Sequence, residues 1–208
     1  MLNQFDTTQL IAMAAALGWA SGLRLYLVLT IVGLAGYTGS IELPTGLSLL
    51  QHPLVLGACS LMLFIEFFAD KIPGLDTLWD LVHTAIRIPA GAALAAAVFG
   101  VDDAVVTLVA ALLGGTLAAA AHTAKATTRA AVNTSPEPFS NIGLSLFEDG
   151  LVPLALWLAY AHPFAFFAAL GLTLVLMFTL IAMLSKFLLG LWRRLRGGPP
   201  VPLPEAKG

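Results

Sequence analysis

Four ionisable side chains recur at helical spacing within one hydrophobic stretch: Asp76, Asp80, His83 and Arg87. Steps of four, three and four residues place them on one face of an α-helix, because each step is close to a whole turn. Such groups in a membrane mark ion or solute pathways, and a histidine there can exchange protons near neutral pH. Exposed to lipid, each charge would cost about 2.5 to 3.5 kcal/mol. We therefore expect them to pair with other charges or to face water.

A second stretch repeats this spacing with Asn141, Ser145 and Glu148. Each of these two rows of polar side chains, which we call stripes, follows an apolar helix that ends at a proline. A further proline interrupts the helix that carries the stripe. The match predicts a duplicated pair of helices, 53–100 and 104–160, whose copies run in the same direction through the membrane.

Aligning the prolines between the helices places Glu66 opposite Arg129 and Asp70 opposite Asn133. If the copies pack face to face, carboxylates and cations meet and their charges nearly cancel. Arg24 lies at mid-depth in the first hydrophobic stretch and needs a carboxylate partner, for which Glu66 or Asp80 is the expected candidate.

These patterns predict one polar cluster near one end of the helices. It is the predicted substrate or ion pathway, without catalytic or metal-binding residues. Its members are Arg24, Glu66, Asp70, Asp76, Asp80, His83, Arg87, His122, Lys125, Arg129, Asn133, Asn141, Glu148 and Asp149.

Composition requires that the surrounding elements be membrane helices. Hydrophobic residues make up 59% of the 208 residues and charged residues only 11%, against roughly 25% charged in soluble domains. The chain therefore reads as an all-α polytopic bundle: one transmembrane domain, 1–196, and a disordered cytoplasmic tail, 197–208, rich in proline.

Apolar stretches separated by Gly, Pro, Asn or Asp predict about six spans. The third must continue through Pro89 with a kink, because the part after this proline is too short to cross about 30 Å of hydrocarbon. Residues 73–88 start that span or form a re-entrant segment. The predicted spans are 8–35, 53–72, 76–100, 104–130, 141–160 and 164–191.

Lysine and arginine set the expected orientation. They gather at one predicted end and are absent from the loops of the other, which carry Glu42, Asp102 and Asp103. Under the positive-inside rule the basic end is cytoplasmic, and an even number of spans leaves both termini there. The basic residues are Lys71, Lys125, Arg129, Lys186, Arg193, Arg194 and Arg196.

Several runs resemble one family of small bacterial membrane proteins, catalogued as domain of unknown function 4126. These runs are 22–27, 66–73, 76–90 and 130–141, the last containing Asn-Thr-Ser-Pro-Glu-Pro-Phe-Ser-Asn. The resemblance covers nearly the whole chain except the tail. It implies a multi-pass protein of the bacterial inner membrane and no particular activity.

Two functions fit the cluster, and a third fits it less well. In the first, a small transporter or channel uses the cluster as its ion or solute site, and the mixed signs favour proton coupling or a zwitterionic or anionic solute. In the second, the charges form a structural salt-bridge lattice. In the third, an enzyme binds a divalent metal through Asp80, His83, His122 and Glu148, or a lipid phosphate through Lys125 and Arg129.

The expected partners are the lipid bilayer and a small solute or ion. Nucleic acid is not expected of a near-neutral chain, with a net charge of −2, and no cofactor is predicted. A homo-oligomer is left open.

Overall fold

The computed structural model describes residues 5–100, 103–134 and 139–195. These residues form six α-helices and one 3-10 helix and contain no β-strand. The predicted tail 197–208, Asp102, Arg196, Pro136 and Pro138 lie outside the described residues. The helices are α1 (Thr7–Tyr37), a 3-10 helix (Thr45–Gln51), α2 (Pro53–Ala69), α3 (Leu75–Phe99), α4 (Ala104–Val132), α5 (Phe139–Ala161) and α6 (Pro163–Leu195).

The structure confirms an all-α polytopic bundle. By length and composition, α1 and α3 to α6 can each cross a membrane, and the 3-10 helix with α2 adds a sixth candidate, bent by 71°. α3 runs without interruption from Leu75 through Pro89, and α5 continues through Pro153. Each proline removes only one hydrogen bond from a long helix. Residues 75–88 therefore begin a long helix and are not a separate re-entrant segment.

The main break in the bundle lies inside α1. Arg24 has φ −143° and ψ 77°, a non-helical conformation that divides α1 into 7–23 and 25–37. No proline or polar turn marks this position in the sequence. The carbonyls before such a break and the N–H groups after it lose their helical partners. Every residue of 16–25 is buried in protein, the condition under which a broken helix is tolerated at membrane depth.

Both halves of α1 lie along α5. Gln9 donates a hydrogen bond to the carbonyl of Tyr160, in the last turn of α5. Arg24 contacts Ser145, in the second turn of α5, and residues after Arg24 return along the same helix. The two halves line one cavity with the last turns of α5 through Met13, Leu17, Ile31, Val32 and Ala35. α1 is therefore a re-entrant hairpin with Arg24 at its tip.

Small residues let the first half of α1 enter the bundle. A Cβ on Gly18 would lie 2.6 Å from the Cα of Gly114 in α4, and a Cβ on Gly22 would meet the backbone carbonyl of Ala118. α1 and α4 thus touch backbone to backbone, as helices with small residues at their interface do in membranes.

The hairpin places the two ends of the described chain at opposite ends of the bundle. The ring of Phe5 lies 6.0 Å from that of Tyr160 at one end, whereas Trp192 of α6 lies beside Ala130 of α4 at the other. We call this second end, where α2 and α4 finish, the charged end. The described residues begin and end at opposite ends of the bundle because the break at Arg24 makes α1 return to the end where it began, and the side on which each terminus lies stays a prediction.

The later helices alternate in direction. α2 and α4 run toward the charged end, and α3 and α5 run away from it, as the parallel repeat of 53–100 and 104–160 requires. The duplication itself stays a prediction.

Candidate functional site

The predicted polar residues meet at the tip of the α1 hairpin, in the half of the bundle nearer the charged end. Two of them, Asn133 and Asp149, are partly exposed. The other twelve are buried: Arg24, Glu66, Asp70, Asp76, Asp80, His83, Arg87, His122, Lys125, Arg129, Asn141 and Glu148. Their assignment to a solute or ion pathway stays a prediction.

Arg24 connects the hairpin tip to α2 and α5. Its Nη1 lies 2.6 Å from Asp70 Oδ2, and its Nη2 lies 3.0 Å from Asp149 Oδ1. Nη2 also donates to the Ser145 hydroxyl at 2.7 Å. The expected partners Glu66 and Asp80 are therefore wrong: both pair with Arg87, and Asp70 is available because it caps the end of α2 beside the tip.

Arg87 of α3 makes two deeply buried ion pairs. Its Nη2 lies 2.7 Å from Glu66 Oε1 on α2, and its Nη1 lies 2.6 Å from Asp80 Oδ1, two turns earlier on α3. Arg87 and Glu66 are 0% exposed. Nη1 also approaches His122 Nδ1 on α4 at 3.4 Å. Arg87 thus joins three helices.

Arg129 of α4 has, in the second helix pair, the position that Glu66 of α2 has in the first. Its Nη2 donates to Glu148 Oε2 at 3.1 Å, and its Nη1 donates to the Asn141 carbonyl at 2.9 Å, both on α5. The Asn133 amide donates to Asp76 Oδ1 at 2.9 Å, and that of Asn141 donates to Asn133 Oδ1 at 2.6 Å. These amides connect the start of α3 to the start of α5.

Lys125 lies at the centre of the cluster. Its Nζ is 2.5 Å from Asp70 Oδ2, 3.1 Å from the Leu23 carbonyl, 3.4 Å from Glu148 Oε2 and 3.6 Å from Asp80 Oδ1. Leu23 immediately precedes the break in α1, so its carbonyl belongs to the last turn of the first half. Lys125 satisfies an acceptor that the break leaves free.

One ion pair borders the cluster toward the charged end. Lys71 Nζ lies 3.3 Å from Asp149 Oδ2, and both side chains are partly exposed, 16% and 19%. Lys71 also donates to the Ser145 hydroxyl at 3.0 Å. Burial lowers the pKa of the Lys71 ammonium, against the opposing effect of Asp149.

Asp70 follows the last residue of α2. Burial acts to raise the pKa of its carboxyl, but the positive charges of Lys125 and Arg24 outweigh burial and hold that pKa below its usual range. The carboxyl is therefore ionised at neutral pH.

The two histidines hydrogen-bond to neutral groups. His83 stacks on Trp79, with ring centroids 4.0 Å apart, and its Nε2 lies 3.3 Å from the Tyr26 hydroxyl. His122 Nε2 lies 2.7 Å from the Thr84 hydroxyl. Among the described residues, no three His, Cys, Asp or Glu side chains are arranged to hold a metal ion. The proposed divalent site on Asp80, His83, His122 and Glu148 thus has no support in this geometry.

The ion-paired charges balance. Five carboxylates are matched by five cations: Glu66, Asp70, Asp80, Glu148 and Asp149 by Arg24, Lys71, Arg87, Lys125 and Arg129. Asp76 is held instead by neutral donors, including the Gly74 and Thr77 N–H groups. The match is incomplete in hydrogen bonds, since Glu66 Oε2, Asp70 Oδ1, Asp80 Oδ2 and the Nε atoms of Arg24, Arg87 and Arg129 have no hydrogen-bond partner.

Sequence reasoning placed the charges but missed three groups that organise them. Ser145 receives Arg24 and Lys71, and its place in the α5 stripe was the available signal. Thr84 meets His122 from the position after His83. The Leu23 carbonyl had no signal at all, because a backbone acceptor becomes free only at the break in α1.

Three cavities lie outside the charged cluster. One of about 600 Å³ lies between α1 and α4 near Ile11 and Val109, and another of about 160 Å³ lies between α1 and α5. A third, of about 830 Å³, opens between α4 and α6 beside Trp192. None of these three is lined by a charged residue.

Comparison with known proteins identifies the family. Residues 11–183 match the model of the family described as Domain of unknown function (DUF4126). The chain belongs to this family. The match contains the whole charged cluster and the α1 hairpin tip. Neither the curated proteins nor the solved structures contain a match, so the family relationship supports a multi-pass membrane protein and assigns no activity.

Proposed function

We propose that this protein moves a small ion or polar solute across the membrane, and that the charged cluster is its binding site in an occluded state. One observation carries the proposal: the re-entrant α1 is broken at Arg24, and the break lies in the centre of the buried charges. Half-helices that meet charged groups within a membrane are a recurrent way to build ion and substrate sites.

Stability alone is a weak reason for this arrangement. Buried ion pairs lose so much hydration that well-packed apolar residues often stabilise a protein equally well or better. A re-entrant tip surrounded by ionised groups adds a break in the helix to that cost. Function is the better explanation for retaining both.

The proposed route of the solute into the cluster passes the ion pair between Lys71 and Asp149. It is the partly exposed side of the cluster, whereas Gly18 and Ser21 close the opposite side by packing against Gly91 of α3. Access from the charged end therefore needs one ion pair to open, and access from the other end needs α1 to move against α3 and α4.

Flux in liposomes tests the proposal. Purified protein is reconstituted and assayed for pH-dependent movement of a panel of ions and small metabolites, beside Asp80→Asn, Glu148→Gln and the exposed Lys186→Met. We expect flux in the wild type and in Lys186→Met, and a loss of tenfold or more in the two carboxylate variants. Flux that both carboxylate variants retain would remove the cluster as the site.

A structural lattice is the second candidate, favoured by the balance of the ion-paired charges and by the absence of charged residues from the lining of the three described cavities. On this reading, no solute in the panel moves, and the carboxylate variants lose stability only.

The location proposed is a bacterial inner membrane, with the charged end in the cytoplasm. Lys186, Arg193 and Arg194 support it, because basic residues accumulate on that side. The geometry then puts Phe5 outside and the end of α6 inside. Reporter tags at the two termini of the intact chain should be accessible from opposite sides in cells. Access from one side only would mean that α1 crosses the membrane.

A further inference from the structure

Lys125 occupies an oxygen cage built by four other elements. The Leu23 carbonyl comes from α1, Asp70 from the end of α2, Asp80 from α3 and Glu148 from α5. These four oxygen atoms surround the ammonium at 2.5 to 3.6 Å. Lys125 itself comes from α4 and is 3% exposed.

The cage has the chemistry of a cation site. Carboxylate and backbone carbonyl oxygens are the ligands that hard cations take. The Leu23 carbonyl lies at the C-terminal end of a half-helix, where the helix dipole adds partial negative charge. Asp70 and Asp80 each have a second oxygen that is buried and has no hydrogen-bond partner.

The charge balance selects a single positive charge. The ion-paired side chains balance, so removal of the Lys125 ammonium leaves one negative charge among them without a cation. A monovalent cation replaces the lost charge one for one, whereas a divalent ion adds a charge that the ammonium did not carry and an anion worsens the imbalance. The balance therefore favours a cation over the anionic or zwitterionic solute that mixed signs alone suggest.

We propose that the Lys125 ammonium holds the place of an alkali metal ion, Na⁺ or K⁺, which enters the cage when α4 withdraws the lysine. This rests on the proposed transport function and names its substrate class. Lys125 and the ion exclude each other, so occupancy alternates.

Alkali-dependent stability of Lys125→Met tests the proposal. The intact variant chain in detergent is titrated with NaCl or KCl, with N-methylglucamine chloride keeping ionic strength constant, and thermal unfolding is followed by tryptophan fluorescence. We expect the midpoint to rise by about 5 °C or more at a hundred times the dissociation constant. In the wild type the ammonium competes with the ion, so the rise should need a much higher salt concentration, and Lys186→Met should behave like the wild type.

A second variant covers the case in which Lys125→Met does not fold. Lys125→Met/Asp70→Asn removes one charge of each sign, and it should fold without any dependence on Na⁺ or K⁺. If only this double variant folds, whatever the salt, alkali ions do not replace the ammonium and the proposal fails. It fails equally if Lys125→Met is stabilised only by a lower pH, because a carboxylate of the cage then takes up a proton and no metal ion binds.

Flux and binding separate the two proposals. Alkali binding by Lys125→Met without flux in any liposome assay would keep the cage and remove transport. Flux of another solute, without alkali binding by Lys125→Met, would keep transport and remove this substrate class.

Discussion

The two halves of the bundle are held together in different ways. Near the N-terminal end, the first half of α1 packs on α4 through Gly18 and Gly22, with backbones in contact. At the hairpin tip, Arg24 and Lys125 connect the same elements through ion pairs to shared carboxylates. Close packing depends on volume, whereas the cluster depends on charge. The first half of α1 is therefore held by close packing against α4, and the tip of α1 is held by ion pairs.

The largest loss of stability is expected from Arg87→Met. It leaves Glu66 and Asp80 buried without their cation, and breaking a buried pair typically costs about 3 to 5 kcal/mol. The unfolding midpoint in detergent should fall sharply, measured by tryptophan fluorescence beside Arg194→Met, which removes an exposed arginine from α6. A similar midpoint for both variants would mean that the ion pairs of Arg87 are not needed to hold α2 and α3 together.

An intermediate loss is expected from Gly22→Ala. The added Cβ would meet the Ala118 carbonyl, and overpacking of this kind costs about 1 to 3 kcal/mol. Gly57→Ala in α2 is the matched control, because its Cβ would meet nothing within 4 Å and alanine is the better helix former. The same unfolding assay should show a lower midpoint for Gly22→Ala and an unchanged or higher one for Gly57→Ala. Equal midpoints would argue against the close approach of α1 and α4.

The smallest loss of stability is expected from Lys71→Met. Its ion pair with Asp149 is partly exposed, and pairs of this kind contribute about 0 to 1 kcal/mol. The variant should unfold near the wild-type temperature, yet it removes the border of the proposed route and should change flux in liposomes. A loss comparable to that of Arg87→Met would place Lys71 within the structural core.

The two helix pairs show what the repeated spacing of the charges predicts and what it does not. Glu66 and Arg87 link α2 to α3, and Arg129 and Glu148 link α4 to α5, with the signs exchanged. The stripes predicted that such links form, because spacing fixes which face of a helix carries a charge. They did not predict which carboxylate pairs with which cation, since that depends on the depth and rotation of each helix.

The helices, their apolar surfaces and the meeting of the charges could all be predicted from the order of the amino acids. Hydropathy and 3.6-residue periodicity are local properties, and unpaired charges have no stable place in lipid. The course of α1, and therefore the partners of Arg24, depends on how the helices pack in the folded protein. A backbone break at an arginine has no local signal, because it is stabilised by contacts with Asp70, Lys125 and Ser145 from three other elements. That one break turns an apparent span into a hairpin and brings a backbone carbonyl to the charged cluster.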